Sequence, residues 1–305
     1  MSIKALRTPD QRFQGLPGWP WAPRYVDDLP GYDGLRVHYA DEGPKDADQV
    51  FLCLHGEPTW AYLYRKMIPV FLASGARVVA PDWLGFGRSD KPVEDAAYGF
   101  DFHRKMMLAL IERLDLQRIT LVVQDWGGLL GLTLPHEMPD RFERLLVMNT
   151  ALPVGRPAGK GFDDWRAYVA ANPDMDCGRL MARACPHLSA DEAAAYEAPF
   201  PDIAYKAGVR RFPQMVMTDP GMEGIAHSRA AIEFLSTRWG GESFMAIGMQ
   251  DPVLGPPVMR ALRAVIRRCP EPMEVAAGGH FLQEWGEPVA QAALRHWGDI
   301  DDAKV

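Results

Sequence analysis

The 305-residue chain has no apolar run approaching the ~18 residues that cross a bilayer, so no membrane-spanning helix is expected. Its 4 cysteines include no C-x-x-C pair, which removes the usual spacing of a zinc or thiol-redox site. Cys53 falls within an apolar strand pattern, while Cys177, Cys185 and Cys269 are scattered. A Cys177–Cys185 bridge is open to the chain, but isolated reduced thiols are the preferred reading. There is no basic stripe, and the net charge is -7, which argues against nucleic acid as a partner. Residues 1–12 have neither an apolar core nor a cleavage signal, so no export is expected. Internal repeats and low-complexity segments are also missing. These absences point to a soluble, cytoplasmic protein, and no metal or cofactor is expected. The composition, 48% hydrophobic and 24% charged, is ordinary for a globular chain. The length suits one large domain or a domain with an insertion.

The most informative stretch is 119–130. Residues 119–123 are apolar, β-branched and too few for a buried helix, which predicts a strand covered on both faces. From Gly127 the pattern turns helical and runs to near Pro135. A buried strand that becomes a helix within about four residues has the layout of a nucleophile elbow. Its apex is Asp125, where the better-known motif has serine, so a serine esterase is disfavoured. A carboxylate there sits at the positive end of the helix and needs no base to act as a nucleophile. Asp is equally common as a plain N-cap, so this stretch alone leaves both roles open.

Strand patterns at 25–29 and 35–40 flank a turn at 30–34. Others fall at 50–54, 77–80, 119–123, 144–148, 244–249 and 273–276. Helical patterns occupy 61–73, 100–114, 259–268 and 288–297. Residues 1–24, proline-rich with Trp19 and Trp21, are expected to form a strap on the surface. The alternation implies a mostly parallel eight-stranded α/β sheet with helices on both faces. Chemistry in such sheets sits at the carboxyl ends of the strands. The expected division is a core at 1–151, a helical cap at 152–225 with short helices such as 190–197, and a second core segment at 226–305.

Two residues complete a triad in chain order. Asp251 follows the strand pattern 244–249, and His280 follows 273–276 in Gly278-Gly279-His280-Phe281. Nucleophile, acid, histidine is the order of this architecture. An acid bonded to the imidazole fixes its tautomer and stabilises its charged form. Asp251 could also be an ordinary Asp-Pro turn, and His280 a structural histidine. Asn149 is rejected as the acid because an amide carries no charge. In the loop His55-Gly56-Glu57-Pro58-Thr59-Trp60, the Glu57 N–H could pair with that of Trp126 as an oxyanion hole.

These motifs, with Gln124-Asp125-Trp126-Gly127-Gly128, Ile247-Gly248-Met249-Gln250-Asp251 and Gly279-His280-Phe281, resemble those of the haloalkane dehalogenases of the α/β-hydrolase fold. The similarity spans about residues 7–297. It looks closest to the subfamily containing the dichloroethane-hydrolysing enzyme. The resemblance implies Asp125 as nucleophile, Asp251 as acid and His280 as base, acting on a small halogenated hydrocarbon and water, with Trp126 binding the halide. Glu57 stands where many relatives carry an amide donor, and a carboxylate cannot donate. The subfamily supplies the second donor from a cap tryptophan, a motif that Trp165 fits. The resemblance further implies a pocket lined by Phe162, Phe212, Pro213, Val216, Val253, Leu254, Phe281 and Leu129. Leu129 and Cys185 stand where relatives have aromatics, which should reshape that pocket. A monomer is expected. An epoxide hydrolase would use the same Asp–His–Asp logic, with cap tyrosines such as Tyr168, Tyr196 or Tyr205. A non-catalytic receptor for a small apolar ligand is the remaining alternative.

Overall fold

The strand patterns pair as one sheet in the computed structural model, which describes residues 3–301. The chain runs β1 (Ala5–Leu6), β2 (Arg24–Val26), β3 (Val37–Glu42), β4 (Val50–Leu54), α1 (Ile68–Ala73), β5 (Arg77–Pro81), β6 (Lys91–Pro92), α2 (Phe100–Arg113), β7 (Ile119–Val123), α3 (Trp126–Gly131) and β8 (Phe142–Met148). It continues through α4 (Lys160–Ala171), α5 (Cys177–Ala184), α6 (Ala190–Ala195), α7 (Ala207–Met215), α8 (Ile225–Thr237), β9 (Glu242–Gly248), α9 (Pro256–Val265), β10 (Met273–Val275) and α10 (Gly286–His296). The eight-stranded sheet has the order β10-β9-β8-β7-β4-β5-β3-β2. β3 is antiparallel to β2 and β5, and the remaining neighbours are parallel. This is the α/β-hydrolase arrangement. No described helix is long and apolar enough to cross a membrane.

β4, β5 and β7 are buried along their whole length, as expected where helices cover both faces of a parallel sheet. Side chains alternate between two cores. Leu52 and Leu54 join Met106 and Leu110 of α2 on one side, and Phe51 and Cys53 join Phe71 of α1 and Leu294 of α10 on the other.

Three local expectations change. The helix expected over 61–73 is a 3-10 turn at Ala61–Tyr64 and then α1; Pro69 fits only the first turn of a helix, so α1 begins there. The helix after Asp125 stops at Gly131, and turns carry the chain to Pro135. The N-terminal strap is not merely superficial. Phe13 and Trp19 are buried, with Trp19 packed edge-on against Trp21 and tilted against Trp60 and Tyr62. All four cysteines are free and buried.

One polar node ties the inserted helices to the sheet. Arg65 grips Glu284 through two bonds of 2.6 and 2.9 Å and also reaches Glu192 of α6 at 2.9 Å. Tyr196, which caps α6, donates its hydroxyl to the same Glu284. Arg65 and Glu284 are almost fully shielded from solvent, so each charge depends on the other.

Candidate active site

β7 ends at Val123, and the chain turns sharply at Asp125, with φ 48° and ψ -127°. Such a backbone costs roughly 1–3 kcal/mol and persists only where its surroundings hold it. Here the Asp125 N–H donates to Asn149 O at 2.9 Å, and Asp125 O accepts from Thr150 Oγ1 at 2.7 Å and Gly128 N at 2.8 Å. Close packing of α3 on β4 requires Gly127, since a Cβ there would lie 1.9 Å from Leu54 O. A Cβ on Gly56 would meet Asp125 Oδ2 at 2.6 Å. The turn thus lifts the carboxylate above the sheet edge with a glycine on either flank.

The two carboxylate oxygens have different surroundings. Oδ2 accepts from the Glu57 N–H at 2.9 Å, and the Trp126 N–H faces the same carboxylate and favours its charged form. Oδ1 lies 3.8 Å from His280 Nε2. Burial lifts the Asp125 carboxyl above its ordinary range, opposed by His280 and the two N–H donors.

His280 Nδ1 is 2.9 Å from Asp251 Oδ2. Asp251 is itself held on both oxygens. Oδ1 accepts from the N–H groups of Val253 at 2.8 Å and Leu254 at 3.0 Å, and Oδ2 accepts from Asn149 Nδ2 at 3.0 Å. Burial opposes the Asp251 charge, but His280 and these donors outweigh it and pull the acid down to about 2. Burial likewise disfavours charged His280, yet Asp251 and Asp125 prevail and push it up to about 9. Asp125, Asp251 and His280, drawn from three separate strand ends, therefore meet at one point.

Asn149 enters the site in a role the sequence reading did not give it. It was weighed only as a rival acid, but it orients Asp251 and also bonds both main-chain groups of Gly248. Its position directly after β8, beside β7 and β9, was the available signal.

A cavity of about 1910 Å³ opens above these residues. Glu57, Asp125, Trp126, Asp251 and His280 line its floor, and Leu129, Phe162, Trp165, Pro213, Val216, Val253, Leu254 and Phe281 contribute to its walls. Phe212 does not line it. That ring is fully buried 4.8 Å from Trp126 and wedged against Phe86 and His103, because it points from α7 toward α2 and the start of α3. Cys185 is also absent from the walls, being packed in the core beneath α10. Among the described residues no group of three or more His, Cys, Asp or Glu side chains could hold a metal ion.

Glu57 differs from the carboxylate assumed from sequence. Burial and then the neighbouring Asp125 charge push its pKa well above the ordinary value of 4.5, against a hydrogen bond from Trp165. Its Oε1 is buried without a partner. As pH rises past 4.5 the unfolded chain releases this proton while the folded chain keeps it, so folding stability falls. Glu57→Gln, neutral at every pH, should therefore raise Tm by a few degrees near pH 8. The gain should shrink to nothing as the pH is lowered to the ordinary glutamate value. Calorimetry across that range checks it; a constant difference would mean Glu57 is ionised in the folded chain.

The comparisons agree with this geometry. Residues 49–287 match the family model described as the alpha/beta hydrolase fold. A haloalkane dehalogenase of Psychrobacter cryohalolentis is 45% identical, covering 96% of this chain and 98% of the relative. One from Mycobacterium marinum is 43% identical, covering 97% and 100%. The solved tetrameric structure of the haloalkane dehalogenase DpaA from Paraglaciecola agarilytica superposes with a TM-score of 0.94 at 54% identity, covering 96% of this chain and 98% of that one. With similarity running through the sheet, the elbow and the helices between β8 and β9 alike, the chain belongs to the haloalkane dehalogenases, hydrolases that convert a haloalkane and water to an alcohol, halide and a proton.

Proposed function

We propose that Asp125, His280 and Asp251 carry out this dehalogenation in two steps. The observation that carries the reading is the asymmetry of Asp125, whose Oδ2 is held by the Glu57 N–H while Oδ1 faces the cavity and His280. Oδ1 attacks the halogen-bearing carbon in line, the carbon–halogen pair leaves as halide, and an alkyl ester remains on Asp125. A water then attacks the ester carbonyl carbon, and His280 Nε2 takes its proton. The oxyanion that forms at Oδ2 is held by the N–H groups of Glu57 and Trp126. Collapse releases the alcohol, protonated from His280, and restores the carboxylate.

Trp126 and Trp165 stabilise the departing halide through their indole N–H groups, that of Trp165 turning from Glu57 to the halide, and 152–225 acts as the cap that keeps water out of the cavity. Removal of one preorganised donor typically costs ~3–4 kcal/mol, roughly 100–1000-fold in rate. Trp165→Phe keeps the apolar volume, so halide release should fall by about that factor and bromide should bind more weakly, with little change in Tm. Bromide quenching of tryptophan fluorescence checks the binding. Trp239→Phe is the control, since that indole donates to Ser243 Oγ at 3.1 Å away from the cavity. Parent-like turnover and bromide binding in Trp165→Phe would leave Trp165 as packing only and remove the main support for placement beside the dichloroethane-hydrolysing enzyme.

The cavity is open to the surface beside Tyr168, which leaves room for substrates longer than two carbons to enter. Halide release across chloro- and bromoalkanes of increasing chain length tests function and size together, and no turnover of any member would reject the reading. The monomer expected from sequence stands against a tetramer, the form of the solved relative. Sedimentation velocity decides between them.

A further inference from the structure

We infer that Gln124, the residue before the nucleophile, is a positioning residue that keeps the Nε2 lone pair of His280 available for the water-activating step. The inference rests on the proposed role of His280 as the base. Gln124 is fully buried, and its amide nitrogen lies 3.0 Å from His280 O and 3.1 Å from His280 Nε2. A main-chain carbonyl only accepts, so the group facing it must be the amide NH2. Its oxygen is turned the other way, 3.4 Å from Gln283 Nε2. With one amide hydrogen given to the carbonyl, the second is directed at Nε2 and favours the neutral ring in which that nitrogen is bare. That agrees with the opposite side of the imidazole, where Nδ1 donates to Asp251 at 2.9 Å. One amide therefore fixes the ring from its main chain and its side chain together, and it favours the tautomer that a general base needs.

The same contact opposes protonation. The charged groups facing His280 are Asp251, after β9, and Asp125 on the elbow, and both favour the imidazolium. Glu57, after β4, faces Asp125 and Trp165, while Glu284, just beyond His280, is engaged by Arg65 and Lys66. Once Asp125 is an uncharged ester, one of the two carboxylates drawing a proton to the ring is gone. The Gln124 N–H then tips the balance toward neutral imidazole at the stage when a base is required. The incoming water competes for Nε2, and the His280 carbonyl keeps the amide in place during that exchange.

The test separates the two chemical steps in the parent, Gln124→Met and Gln124→Glu, using 1-bromobutane, rapid quench and intact-protein mass. Hydrolysis of the alkyl-enzyme should lose rate at acid pH as His280 protonates. Removing a donor to the lone pair in Gln124→Met should move that acid limb up by about half to one pH unit. Gln124→Glu, which can only accept from the imidazolium, should move it further. The halide burst needs no base and should keep its pH dependence. A role in packing alone would slow either step without moving the limb, so an unshifted limb in both variants overturns the inference. If neither variant folds, 15N NMR of the parent above about pH 9, where the ring becomes neutral, decides. Neutral His280 protonated on Nδ1, with Nε2 accepting a hydrogen bond, supports it, and the Nε2–H tautomer overturns it. A parent that never forms an alkyl adduct would instead overturn the assignment of Asp125, and the Gln124 inference with it.

Discussion

His280→Gln should release about one halide per active site and then stop. Carbon–halogen cleavage asks only for the Asp125 carboxylate, whose free oxygen faces the cavity. Ester hydrolysis asks for a base, and no other imidazole lies beside Asp125 Oδ1 among the described ion pairs. Glutamine fills much of the same space and can still bond Asp251, but it cannot take a proton from water. The alkyl-enzyme should accumulate, visible by mass spectrometry as one alkyl group on the peptide containing Asp125. The first step never uses the imidazole, so it should lose rate at acid pH only as Asp125 itself becomes protonated. Sustained multiple turnover, or halide release with an unmodified protein, would contradict the covalent route.

Asp125→Ala should lower halide release by roughly 10⁴-fold or more, the scale on which loss of a nucleophile is felt. The neighbouring acids cannot substitute. Asp251 is committed to His280, Asn149 and two main-chain donors, and burial beside Asp125 raises the pKa of Glu57 well above its ordinary value, which disfavours its charged form. The fold should survive, since the substitution loses two main-chain hydrogen bonds to the carboxylate but also removes a buried charge. Unchanged circular dichroism with a Tm near or above the parent's would show that the loss is chemical. Halide release within tenfold of the parent would remove Asp125 from the mechanism.

The sequence made the sheet legible because each central strand is an apolar run that ends in a glycine- or proline-bearing loop. The elbow was legible for the same reason: residues 119–131 carry their own strand, turn and helix signals. Asp251 and His280 followed from position, each a few residues past a strand. What escaped depends on contacts between distant segments. The amide of Gln124 acquires a meaning only when β10 places His280 over it. The raised pKa of Glu57 comes from burial beside Asp125, which residue type alone does not show. Phe212 has the composition of a pocket residue, but the direction of α7 turns it into the core. Trp19, in a stretch with no periodic pattern, gave no sign of the aromatic cluster that receives it.

The Arg65 node bears on how products leave. Through it α6 is fastened to Glu284, in the turn that directly follows His280. Among the described residues α4 has no buried ion pair of this kind; beyond the helix it reaches only Thr218 Oγ1, through Arg166 at 3.2 Å, and Glu57, through Trp165. Its ion pairs, Lys160–Asp164 and Arg166–Asp163, lie within the helix itself, and Phe162 and Val169 are its only buried side chains. The inserted segment is therefore mechanically lopsided, hinged at the α6 end and loose at the α4 end. Breathing motions should be largest where Trp165 sits, so the side chain proposed to meet the halide would swing aside to let it escape. Hydrogen exchange should register this as early labelling of α4 and late labelling of α6. A faster turnover rate, sought by engineering, would then come from the surface contacts of α4 and not from the triad.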